Sequence, residues 1–175
     1  GSRGVLSGQR AGIRGGGNMG VVGQEEDGEV RFPVARGVGA TAVVNGSRED
    51  GVARCQEIGG QDNRGLVIEW AGANIARKQS SEMLRPNGEA VRVGMGFKPL
   101  DFSINDITAW NKSIIGHMAY DSVSWRNAIR LLASGDIQVK PMITHRLGLS
   151  QWEQGFDAML DKTAIKVILT YDYDH

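Results

Sequence analysis

The sequence contains one cysteine, Cys55, in 175 residues. A single thiol excludes an intrachain disulfide and any thiolate-rich zinc site built from this chain alone. There is no excess of charge of either sign, since 20 Lys and Arg balance 20 Asp and Glu. That balance argues against nucleic acid or an anionic membrane surface as a partner, because both reward a basic excess. Long apolar runs are missing too: none approaches the ~18 residues that cross a bilayer, and the first 20 residues hold no apolar signal-peptide core. A cytoplasmic location is therefore expected. Also absent are a serine-nucleophile elbow, a Walker loop and an H-E-x-x-H pair.

Glycine, by contrast, is abundant, with 25 residues, eight of them within residues 1–20. Residues 1–19 are rich in Gly and Arg, show no sustained periodicity, and read as a flexible segment. The string Gly15-Gly16-Gly17-Asn18-Met19-Gly20 satisfies G-x-G-x-x-G literally. A dinucleotide-binding version should follow a strand, open a helix and have an acid about 20 residues on. Here no strand precedes it, Val21-Val22 follows it, and position 40 is alanine, so it reads as a decoy.

From Gly20 onward short β-type runs alternate with amphipathic stretches. Strands are expected at Val21-Val22, Ala42–Asn45, Leu66–Glu69, Ala90–Val93, Ser113–Gly116, Pro141–His145 and Ala164–Tyr171. Helices are expected at Val30–Val38, Arg48–Ile58, Asn74–Leu84, around Ile104–Trp110, from a cap at Ser122 or Ser124 to Gly135, and from a Ser150-x-x-Glu153 capping box. The last two should bury Trp125, Ala128, Ile129 and Leu132, and Trp152, Phe156, Met159 and Leu160, which recur at helical spacing. Alternation of this kind with continuous apolar strands gives an α/β class, a Rossmann-like parallel sheet with helices on both faces. Ligands of such sheets bind at the carboxyl ends of the strands. Those ends are Gly23–Asp27, Asn45–Ser47, Glu69–Gly72, Gly94–Gly96 and Gly116–Ala119, and their small residues would let a flat cofactor approach the backbone.

The segment VARGVGATAVVNGSREDGVARCQEIGG from Val34 resembles the cofactor domain of zinc-type medium-chain alcohol and polyol dehydrogenases. GLVIEWAG, LRPNGEAVRVGMG, IGHMAY, WRNAIRLLASG, PMITHRLGL and AIKVIL continue the resemblance in the same order over roughly residues 20–171. The Thr144-His145-Arg146 stretch and the closing AIKV pattern place it nearest the sorbitol and threonine dehydrogenase branch. The resemblance implies hydride transfer between a secondary alcohol or polyol and NAD or NADP. It further implies that Val21-Val22 is the second strand of the sheet and that the first βα unit is lacking. Without a catalytic domain to return to, the residues after Pro141 would pack on the sheet or expose an apolar surface, and such a surface favours self-association.

Three regions follow from it: 1–19, a partial dinucleotide-binding domain over 20–140, and a C-terminal segment over 141–175. In full-length relatives that last segment would return to the catalytic domain. Gln24 and Glu25 would face the adenine ribose, where Glu25 or Glu26 as an acid leans towards NAD, while Arg31 is near enough to leave NADP open. Val93, Gly94 and Met95, and His117, Met118 and Ala119, match segments placed against the nicotinamide. The polyol branch often carries an arginine where Ala119 stands. Zinc is expected only in the full-length family, whose ligands belong to an N-terminal domain. The chain is thus expected to be the cofactor portion of a longer enzyme, inactive by itself. A quinone reductase-like member of the superfamily and a degenerate module that only folds and associates are the alternatives.

Overall fold

The computed structural model describes residues 18–60 and 65–171. Residues 1–17, with the first half of the glycine string, and the tail at 172–175 lie outside them. Strand β1, Gly20–Gly23, is followed by a three-residue 3-10 turn at Glu25–Asp27 and helix α1, Arg31–Gly37. Pro33 is tolerated because it falls in the first turn of α1, where its missing N–H costs nothing. Gly39 ends the helix at φ +104°, and the Ala40 N–H closes on Ala35 O at 2.9 Å. Strand β2, Ala42–Asn45, then pairs in parallel with β1. Ala35 and Val38 form the packed core of this unit with Val21, Val34, Ala40 and Val43.

Helix α2, Gly51–Gly59, starts three residues later than the expected Arg48. The Asp50 carboxylate accepts the Val52 and Ala53 N–H groups at 2.9 and 3.1 Å, which fixes the start. Residues 60–65 alone connect α2 to β3, Leu66–Glu69. Helix α3, Asn74–Glu82, strand β4, Glu89–Arg92, the short helix α4, Asn105–Thr108, and strand β5, Ser113–Gly116, follow. β3, β4 and β5 form a second parallel set in that order. The Rossmann-like architecture is therefore present as two parallel sets, β1-β2 and β3-β4-β5, one strand short of the six of the full doubly wound order. The five strands fall within a residue of the expected bounds.

Helix α5, Ser122–Ala133, is capped by Asp121, not by Ser122 or Ser124: its carboxylate accepts the Ser124 N–H at 2.7 Å. A 3-10 turn at Lys140–Met142 replaces the start of the strand expected from Pro141, and β6 runs over Ile143–Gly148. Leu149–Gln151 make a 3-10 turn, and helix α6, Trp152–Leu160, follows with Gln151 at its cap position, one residue after the expected Ser150. The Gln151 side chain accepts the Gly148 N–H at 3.2 Å. Strand β7, Lys166–Thr170, pairs in parallel with β6.

The expected burial of the two apolar helix faces is corrected as well. Trp125, Ile129 and Leu132 of α5 are exposed, and so are Trp152, Phe156, Met159 and Leu160 of α6. α6 meets its strands through Gly155, where an added Cβ would stand 2.9 Å from Val167 Cγ1. Contact through the smallest residue leaves the large side chains to the side of the interface. Trp152 and Phe156 pack edge to face, and Trp125 stacks on Tyr120. The other end of the C-terminal segment is well seated: Met142, Ala164 and Ile165 are buried, and Met142 and Ile165 line a small cavity with Phe32 and Ala35 of α1.

Candidate cofactor site at the strand ends

The turn after β1 and the tip after β2 are laced together. Gly46 N–H donates to Gly23 O at 2.9 Å. Ser47 Oγ donates to Gln24 Oε1 at 2.8 Å and accepts the Glu25 N–H at 3.1 Å. Glu25 Oε2 accepts Asn45 Nδ2 at 2.8 Å and Arg48 Nε at 2.7 Å, and Arg48 Nη2 reaches Glu25 Oε1. The Arg48 fork thus grips both oxygens of one carboxylate, the bidentate geometry that guanidinium favours. Ser47 N–H donates to Asn45 Oδ1 at 3.0 Å, a local turn that holds the tip.

The Glu25–Asp27 turn is strongly acidic, yet each acid has a cation from elsewhere. Glu25 has Arg48, Glu26 has Lys162, and Asp27 has Arg31 at 2.9 Å. Arg48 beside it, then Asn45, hold the Glu25 carboxyl below the ordinary glutamate value, and Lys162 does the same for Glu26. Both pairs are therefore intact at neutral pH and are lost as acid brings the pH down through those lowered values. Arg31 is committed to this scaffold: it also donates to Ala164 O at 3.2 Å and is only about one-fifth exposed. Arg48 is 73% exposed. Sequence reasoning named Gln24, Glu25 and Arg31 but missed Ser47 and Arg48 as partners of that turn. The signal available was Gly46-Ser47-Arg48 directly after an apolar strand.

The ends of β3 and β4 meet by backbone. Glu69 is buried; its Oε1 accepts Gly72 N–H at 2.7 Å, and its main-chain O accepts Val93 and Gly94 N–H at 2.9 and 3.0 Å. The Arg77 guanidinium holds Gly72 O at 2.9 and 3.0 Å. An added Cβ would lie 2.1 Å from Met95 O at Gly72, 2.2 Å from Gly72 N at Gly94, and 1.7 Å from Arg77 Nη2 at Gly96. The space glycine leaves at these three positions is filled by one loop crossing the other. Gly116, by contrast, faces open space. Arg92 stands behind this crossing, its side chain donating to Arg77 O at 2.8 Å, and burial lowers its pKa.

At the end of β5, His117 N–H donates to Arg92 O at 2.9 Å, which ties this tip to β4. His117, Met118 and Ala119 are exposed, and Ala119 sits at φ +60°. Left-handed backbone costs an alanine roughly 1–2 kcal/mol, so the neighbouring structure holds this tip in place. The nine residues named from sequence thus fall in two groups, one at the β1 turn and one at the β4 and β5 tips. No three His, Cys, Asp or Glu residues are placed to hold a metal ion among the described residues. No described helix is long and apolar enough to cross a membrane.

The sequence profile of the family described as zinc-binding dehydrogenase matches residues 4–134. The chain belongs to that family. It is 77% identical over 174 residues to the zinc-type alcohol dehydrogenase-like protein YdjL of Escherichia coli K12, covering 99% of this chain and 49% of that protein. It is 29% identical over 156 residues to a sorbitol dehydrogenase of Halalkalibacterium halodurans, covering 89% of this chain and 45% of that protein. The crystal structure of 2R,3R-butanediol dehydrogenase from Bacillus subtilis superposes with a TM-score of 0.84 at 23% identity, covering 98% of this chain and 49% of that one. The chain spans about half the length of the relatives it matches. The polyol-branch resemblance and the Rossmann-like fold both stand on these matches.

Proposed function

We propose that this chain is the nicotinamide-dinucleotide-binding portion of a zinc-type dehydrogenase that exchanges a hydride between a secondary alcohol or polyol and NAD(H). The observation that carries the reading is the turn after β1, where Gln24 and Glu25 stand just beyond the strand that takes the second place of the doubly wound order. There an acid accepts from the ribose hydroxyls and repels a 2′-phosphate.

This reading takes β1 and β2 as the second and third strands of the doubly wound order 3-2-1-4-5-6. The strand order supports it: β1 pairs with β2, β3 with β4 and β4 with β5, and the gap between the two sets is where the first strand would lie. Gly23 closes the second strand, and a Cβ there would lie 2.5 Å from the Phe32 ring of α1.

Gln24 and Glu25 would face the adenine ribose, with Ser47 and Arg48 holding their turn and Arg31 bracing it. Val93, Gly94, Met95, His117, Met118 and Ala119 would line the nicotinamide side. The bound nicotinamide supplies the hydride chemistry, and the protein supplies orientation. The described residues do not fit a zinc site, so no step is assigned to zinc here. The exposed apolar faces of α5 and α6 support association with a further protein surface.

A ligand that binds only the folded state raises the melting temperature. NADH at millimolar concentration is expected to raise the Tm of the 175-residue chain. No shift with either NADPH or NADH at that concentration would overturn the reading.

A further inference from the structure

The turn that carries Gln24 and Glu25 is tied to the far end of the chain at three points. Lys162 reaches the Glu26 carboxylate across 136 residues of sequence. Arg31 gives Nη1 to Asp27 Oδ1 at 2.9 Å and Nη2 to Ala164 O at 3.2 Å. Phe32 makes the third link. Its ring backs Gly23, leaving no room for a Cβ there, and it lines one small cavity with Met142 and Ile165. Met142, Ala164 and Ile165 are buried, so two of the links end in packed structure. Met142 leads into β6 and Ile165 into β7.

Lys162 lies just beyond α6, at φ +61°. Helices that end in this left-handed conformation ordinarily place glycine there, and a side chain in it is strained. Strain of this kind points to a use for the side chain, and here its ammonium meets Glu26. We propose that Lys162 and Arg31 are positioning residues for the cofactor: they clamp the ribose-facing turn to the β6–β7 unit, so that dinucleotide binding and seating of that unit favour one another. The inference rests on the cofactor reading above. Neither residue needs to touch the ligand. Each acts through an acid that follows Glu25 in the chain, Glu26 or Asp27. When the unit unseats, the turn loses Lys162, the anchor of Arg31 and the packing behind Phe32. A ligand that binds the held form of the turn raises its population, and with it the seated form of the unit. The coupling is reciprocal, as linkage requires. The Lys162–Glu26 pair is about half exposed and weak by itself. Arg31 is about one-fifth exposed and joins both sides with one guanidinium, so it carries the larger share.

Amide hydrogen exchange and NADH titration of the whole 175-residue chain test this in wild type, Lys162→Gly, Lys162→Arg and Arg31→Gln. NADH is expected to slow exchange in β6 and β7 of the wild type as well as in the β1 turn. Lys162→Gly relieves the left-handed backbone, which offsets the lost pair, so the Tm of the free chain should hold or rise. It is nevertheless expected to weaken NADH binding about two- to fivefold, the scale of one exposed ion pair, and to lose part of the slowing in β6 and β7. Lys162→Arg keeps the charge and should bind NADH as the wild type does. Arg31→Gln is expected to weaken NADH binding about tenfold, since charged hydrogen bonds are the stronger kind. Should it fail to fold, Lys162→Gly decides. If the wild type binds NADH and Lys162→Gly and Arg31→Gln bind it equally well, the clamp is overturned and the cofactor reading stands. The same holds if NADH slows exchange in the β1 turn and leaves β6 and β7 unchanged. If the wild type binds neither NADH nor NADPH, the cofactor reading fails and the clamp fails with it.

Discussion

Gly72→Ala is expected to destabilise the chain by about 2–5 kcal/mol, a large part of the ~5–15 kcal/mol that holds a typical domain folded. Two costs add at this position. Gly72 has φ +73°, where a side chain costs roughly 1–2 kcal/mol. The new Cβ would also stand 2.1 Å from the main-chain oxygen of Met95. Forcing an extra carbon into a filled space costs about 1–3 kcal/mol, and here the obstacle is backbone, which cannot swing aside as a side-chain tip can. Relief would require moving the 93–96 loop, breaking the Gly72 N–H bond to buried Glu69, or displacing Gly72 O from Arg77. Each response disturbs the segment assigned to the nicotinamide, so cofactor binding should weaken together with stability. Urea unfolding reads the first effect. Gly37→Ala is the control: that glycine lies at the end of α1 and its Cβ would meet nothing within 4 Å. An unchanged midpoint for Gly72→Ala would mean that the crossing of the two loops is not tight.

Glu25→Gln is expected to weaken NADH binding about tenfold and to leave NADPH nearly unchanged, a size set by hydrogen bonds to a charged acceptor scaled down for solvent exposure. Glutamine keeps the size of the side chain but gives up the charge. Because Glu25 and its partner Arg48 are both surface residues, the variant should fold normally, and an affinity ratio isolates the site from stability. Equal losses for both cofactors would place Glu25 away from the 2′-position. Arg31→Gln should behave differently. It removes the brace between Asp27 and Ala164 O and so acts on the seating of the C-terminal segment.

Much of the fold was legible because the strands are short apolar runs closed by turn residues. Ala42–Asn45, Leu66–Glu69 and Ser113–Gly116 were read with the bounds the structure has. Helix starts were less legible, since several polar residues compete for one cap. Asp50 and Asp121 win over Arg48 and the nearby serines because a carboxylate reaches the free N–H groups of the first turn. Helical spacing marked the apolar faces of α5 and α6 correctly as faces, but spacing does not say what covers them. The β1 turn was legible in its place but not in its contacts. The pairing of Glu25 with Arg48 joins two exposed charges from separate loops, and no local pattern encodes such a contact.

Which cofactor the chain prefers depends on the assignment of β1 and β2, and a calorimetric titration of the chain with NADPH and NADH in the same low-salt buffer examines it most directly. With β1 as the second strand of the sheet and Glu25 just beyond it, NADH is expected to bind more tightly than NADPH. Tighter binding of NADPH would contradict that assignment.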